Sequence, residues 1–207
     1  MKKLLTLLFS FFLLSSPSVF ANSIYDLDIE GVSIGDSLLD YMSEEEIFKE
    51  IEFTKDWYLF LNEPNKYSEV KLLKNLNTFD NLAVFIKNTL PNKYVSNKNE
   101  KYFILGIRGV IFYDQDFDGC KQERDEIIEI FSKILTNAER IDIVNTHPAD
   151  SSGNSIEDIV FLDNSPYEST RIVCTDWDES ITNKYNWIDN LSVLIESEEI
   201  INWFSNY

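Results

Sequence analysis

The chain has 207 residues, 44% of them hydrophobic and 14% aromatic, with only 6 Gly and 5 Pro: enough apolar material for one packed core, and too little Gly and Pro for a disordered chain. A formal net charge of −18 repels phosphate backbones and anionic headgroups, so neither a nucleic-acid role nor a polybasic membrane-surface role is expected.

Lys2 and Lys3 precede an apolar run from Leu4 to Leu14, and Val19-Phe20-Ala21 forms a small-residue cleavage site. This order is that of a secretory signal peptide over residues 1–21, leaving a single domain over 22–207 in the periplasm or outside the cell. The apolar run is shorter than the roughly 20 residues a spanning helix needs, and no later stretch approaches that length, so no membrane insertion is expected after cleavage. Asn22 rather than Cys follows the cleavage point, which speaks against a lipid anchor. Cys120 and Cys174 are the only cysteines, and an even count in an oxidising compartment predicts that they form one disulfide.

Along the mature chain, Ser43-Glu44-Glu45-Glu46 is a capping box that starts a short helix, with Ile47, Phe48 and Ile51 as its apolar side. Residues 67–73 and 79–87 read as strands. The stretch 100–113 is the strongest strand signal, with apolar residues on both parities, and it belongs in the middle of a sheet. Gly106 and Gly109 leave room there for a bulge or a close neighbour. Residues 121–135 predict a helix, because Ile127, Ile128, Phe131, Ile134 and Leu135 recur at one-turn spacing. Strands follow at 141–145, 156–163, 169–176 and 190–195, then a terminal helix at about 197–204, with polar loops over 148–155 and 178–189. Runs of strands rather than strict alternation with helices predict an α+β domain with a largely antiparallel sheet, one long helix and two shorter ones packed on it.

Three groups of residues invite chemistry. Asp114, Asp116, Asp118 and Gly119, followed by Asp125, overlay positions 1, 3, 5, 6 and 12 of a twelve-residue calcium loop, whose spacing lets several carboxylates converge on one hard cation. The simpler reading is a strand-to-helix turn in which one of these acids caps the helix. Gly31-Val32-Ser33-Ile34-Gly35 is a literal nucleophile-elbow pattern, and Asp114 and His147 follow in triad order. No buried strand precedes it, so a tight turn is the expected origin of its glycines, and His147 is expected to be an exposed loop residue. Asp176, Asp178 and Glu179 surround Trp177, an arrangement that suits a carboxylate cleft with an aromatic floor or a solvated strand end. Trp57, Trp187 and Trp203 are expected at or near the core.

The segment Asp28 to Leu39, together with Ser43 to Ile47, resembles the opening of an uncharacterised family of exported proteins from marine bacteria of the SAR11 type. Gly119-Cys120, Cys174 to Trp177 and Asp189 to Val193 resemble later segments of that family. The resemblance implies an export signal and a single domain, and it brings no activity, cofactor or catalytic residue. The expectation is therefore an exported acidic domain that binds a ligand or a protein without catalysis. The alternative is a periplasmic hydrolase that uses acidic side chains, with calcium as the one candidate cofactor. A cleft that gathers carboxylates and drives their pKa values apart would favour the alternative.

Overall fold

The structure is a computed structural model, and it describes residues 23–57, 66–72, 76–87, 101–163 and 168–206. The predicted leader lies outside the described residues. Among the described residues, nine strands and four α-helices make an α+β domain: a two-stranded hairpin and a seven-stranded sheet, antiparallel throughout.

The hairpin pairs β1 (Asp28–Ile29) with β2 (Val32–Ser33). Glu30 and Gly31 between them both have positive φ, 55° and 76°, the backbone of a two-residue hairpin turn, so the glycine of the elbow pattern serves a tight turn. Next comes α1 (Glu44–Thr54), whose capping box is formed as read: the Glu46 N–H donates to the Ser43 hydroxyl while the Glu46 carboxylate accepts from the Ser43 N–H at 2.9 Å.

β3 (Tyr67–Leu72), β4 (Asn81–Lys87) and β5 (Ile104–Phe112) form one meander, and β6 (Glu139–Thr146), β7 (Ile156–Asp163), β8 (Ser169–Asp176) and β9 (Asn190–Glu196) form a second. The last strand, β9, joins the two by pairing with β5 as well as β8. Between the meanders, α2 (Phe117–Ile134) crosses the sheet and packs on β8 and β9. The face it covers carries Val84, Ile107, Val160, Ile172, Leu191, Val193 and Ile195, all buried in one core cluster with Ile128 and Phe131 of the helix. The opposite face receives α4 (Glu198–Ser205), whose Trp203 and Phe204 meet Tyr67 and Phe85 with ring centroids 4.8 and 5.4 Å apart.

Both roles foreseen for the β5 glycines are realised. The β4–β5 register shifts beside Gly106, where Phe85 pairs with Gly106 and Ile86 with Ile104. At Gly109 the ring of Phe79 lies so close that an added Cβ would stand 2.6 Å from Cδ1. Because the clash is with a packed ring rather than a flexible chain end, Gly109→Ala is expected to destabilise the domain by about 1–3 kcal/mol. A urea midpoint equal to that of the wild type would contradict this.

The predicted disulfide is formed. Cys120 in the first turn of α2 bonds to Cys174 in β8 across a Cα–Cα distance of 5.9 Å, and both residues are fully buried. Among the described residues no helix is long and apolar enough to cross a membrane.

Candidate functional site

Insertion of β9 between β5 and β8 gathers four chain segments at one end of the sheet. The β5–α2 loop brings Asp114, Gln115 and Phe117, and the end of β8 brings Asp176 and Trp177. The short helix α3 (Glu179–Tyr185) brings Glu179, Thr182 and Asn183, and the approach to β9 brings Ile188 and Asp189. Together they line a cleft of about 440 Å³ that holds four carboxylates and, among the described residues, no basic side chain.

The walls are fastened to one another by hydrogen bonds that meet at Asp189. The Tyr113 N–H donates to the Asp189 carbonyl at 2.7 Å, and the Trp177 N–H donates to Asp189 Oδ1 at 2.8 Å. The disulfide adds a covalent tie, since Cys120 follows Phe117 by three positions and Cys174 precedes Asp176 by two. Asp189 is the buried acid of the four, with 8% of its surface exposed. Burial pushes its carboxyl above the ordinary range; the Trp177 N–H pulls it down, and the charges of Asp176 and Asp114 push it up again.

α3 falls where the sequence suggests only a polar loop. Its local signals are an N-cap and a C-cap: Asp178 accepts from the Ser180 N–H at 3.0 Å, and Asn186 closes the helix with left-handed φ of 56°. Asp178, one of the acids around Trp177, is therefore engaged in capping.

Aromatic rings extend the cleft outward in a chain. His147 meets Trp177 at 4.1 Å between centroids, Trp177 meets Trp187 at 4.6 Å, and Trp187 stacks on Tyr185 at 5.1 Å. His147 is thus half-buried against Trp177 rather than an exposed loop residue. Its Nδ1 accepts from the Ala149 N–H at 3.0 Å, and its Nε2 lies 3.4 Å from Glu157. Trp187 and Tyr185 are exposed, so Trp187 belongs to the rim of the cleft. Two ammonium groups of the chain already rest on rings at this rim, Lys184 over Tyr185 at 4.6 Å and Lys121 over Phe117 at 4.9 Å. Behind the rim, Asp150 accepts from the N–H groups of Ser152 and Ser155, each at 2.8 Å, and from the Ser155 hydroxyl. The same Ser155 hydroxyl accepts from the Asp178 N–H at 2.9 Å, so the β6–β7 loop is bound to the start of α3.

The calcium pattern is divided among separate tasks. Helix α2 begins at Phe117, the fourth position of the twelve-residue pattern, and a helix turns successive side chains away from one another instead of converging them. Asp116 is the N-cap and accepts from the Gly119 N–H at 3.0 Å. Asp118 pairs with Lys121 at 2.8 Å, whose ammonium holds its carboxyl below the ordinary range. Asp125 pairs with Arg124 at 3.0 Å, and Asp114 alone of the four faces the cleft. Among the described residues no three His, Cys, Asp or Glu side chains gather as a metal ion would require. Of the triad-ordered residues, Ser33 sits in the N-terminal hairpin and His147 follows the far edge strand, on different parts of the fold.

A second cavity of about 500 Å³ lies between the hairpin, α1 and the β3–β4 pair, floored by Val32, Leu72 and Leu82. Charges of both signs line it, and several are already engaged. Glu30 accepts from the N–H groups of Asn77, Thr78 and Phe79, Lys49 pairs with Glu45, and Lys71 rests over Trp57 at 4.4 Å.

Compared with known proteins, the chain matches no family model, no curated protein and no solved structure.

Proposed function

We propose that this chain is an exported binding domain that captures a small cationic ligand, an organic amine, in the cleft walled by Asp114, Asp176, Glu179 and Asp189. One observation carries the reading: four carboxylates and the Trp177 ring line a concave site that no basic side chain enters among the described residues. Such a cleft repels anions, raises the local concentration of cations, and offers an ammonium group both charge-assisted hydrogen bonds and an aromatic face. Export is supported by the N-terminal basic and apolar pattern and by the buried disulfide.

The reading is tested by titrating the protein with spermidine, choline and calcium chloride, with glutamate as the anionic control, following heat and Trp fluorescence. Saturable binding of the amines and none of glutamate is expected. Asp176→Asn should weaken amine binding roughly 10- to 100-fold, the worth of a charge-assisted hydrogen bond. Asp189→Asn should weaken it too, and should stabilise the fold at neutral pH. Its carboxyl has a raised pKa, so ionising it costs folded-state stability as pH rises through the unfolded value near ~3.9, and the amide removes that cost while keeping an acceptor for Trp177. Amines that do not bind, or that bind both variants as tightly as the wild type, would end the proposal.

A carboxylate hydrolase is the second reading, favoured by the elevated Asp189 beside the charges of Asp176 and Asp114. Turnover of 4-nitrophenyl glycosides that vanishes in Asp189→Asn would replace the binding reading with this one.

A further inference from the structure

The two edges of the sheet are built differently. β3 lies under α1 with five of its six residues buried, whereas β6 is exposed at all eight positions. β6 also keeps unbroken register with β7, from Glu139 opposite Asp163 to Thr146 opposite Ile156, and it contains no Pro, Gly or Lys. Bulges, Pro and Lys are among the devices that make edge strands unreceptive, and β6 has none of them; the charges it does carry, on Glu139, Arg140 and Asp142, must be matched by whatever strand pairs with it. Alternate residues of such a strand direct N–H and C=O groups away from their neighbour, ready for another strand.

The side chains of β6 choose both the partner and the register. Arg140, Asp142 and Val144 share the face that carries α2, and Ile141 and Ile143 share the other, where Ile159 and Phe161 of β7 continue the apolar surface. A second copy that extends the sheet about a two-fold axis perpendicular to it keeps each face on its own side, so the axis must pass through a residue. Through Ile141, Arg140 stands opposite the partner's Asp142 and Asp142 opposite the partner's Arg140, with Ile141 against the partner's Ile141. Through Asp142, two carboxylates would face each other, and through Ile143 neither arginine would have an acid opposite it. Directly opposed charges of unlike sign stabilise a strand pair and like charges weaken it. Within one chain Arg140 and Asp142 already form an ion pair at 2.6 Å, both about half exposed, and dimerisation exchanges it for two reciprocal pairs.

We propose that the chain forms a two-fold dimer through antiparallel pairing of β6 with β6 of a second copy, centred on Ile141. The test is sedimentation equilibrium at micromolar protein in 0.15 M salt, where a Debye length of about 8 Å screens the distant acidic charges of the two copies. A monomer–dimer equilibrium is expected. Arg140→Asp should raise the dimer dissociation constant about tenfold, and the swap of Arg140→Asp with Asp142→Arg should restore it. Because both positions are exposed, circular dichroism should report an unchanged fold in each variant. A protein that stays monomeric throughout, or a dimer that Arg140→Asp leaves intact or the swap fails to rescue, overturns the proposal.

Discussion

Replacing both cysteines, Cys120→Ala with Cys174→Ala, is expected to remove about 4 kcal/mol of stability, the largest effect of any change considered. The cross-link closes a loop of 54 positions, and freeing it returns that loop's conformational entropy to the unfolded chain. For a domain of this size the melting temperature should fall by roughly 8–16 °C, read by circular dichroism. The bond also joins the start of α2 to β8, the two elements whose neighbouring residues wall the cleft, so amine binding should weaken in the same variant even where it is fully folded. A melting temperature within about 2 °C of the wild type would show that the cross-link constrains neither the unfolded chain nor the folded one.

The pattern of side chains foretells the elements better than their arrangement. The strands at 156–163 and 169–176 fall where read, because each apolar run is bounded by polar turn residues. The long helix starts at Phe117, four residues before the predicted position, since Asp116, one of the acids that suggested an ion loop, is its cap, and Asp118, another, lies in its first turn. α3 escapes a reading by periodicity because seven residues give barely two turns; only Asp178 and Asn186 mark its ends. For the cleft, Asp176, Trp177 and Glu179 stand together in the sequence, whereas Asp114 and Asp189 join them only because β9 returns between β5 and β8. No local pattern specifies that return. His147 was likewise invisible as a partner of Trp177, since the two rings meet through the hairpin of β6 and β7 and not through spacing.

Asp158→Ala is the second change expected to act strongly. Arg124 projects from α2 into the core boundary with only 7% of its surface exposed, and its Nη1 lies 2.6 Å from Asp158 Oδ1 on β7, an ion pair outside hydrogen-bond angles. Removing the acid leaves a guanidinium held out of water, a loss of roughly 3–5 kcal/mol for a fully buried pair. Asp125 remains 3.0 Å from Arg124, so the expected cost is about 2–3 kcal/mol. Arg124→Met should cost about 1 kcal/mol or less, because methionine keeps the packing and Asp158, one-fifth exposed, can be hydrated instead. The position of this pair adds a further expectation. Cys120 and Arg124 are one turn apart on α2, and their partners Cys174 and Asp158 stand directly opposite each other on β8 and β7. The helix is therefore anchored to one spot of the sheet twice, and either anchor can hold it while the other is gone. Asp158→Ala should cost more in the cysteine-free background than in the wild type, by about 0.5 kcal/mol or more on the urea midpoint. Strict additivity would mean that the two anchors act on α2 independently.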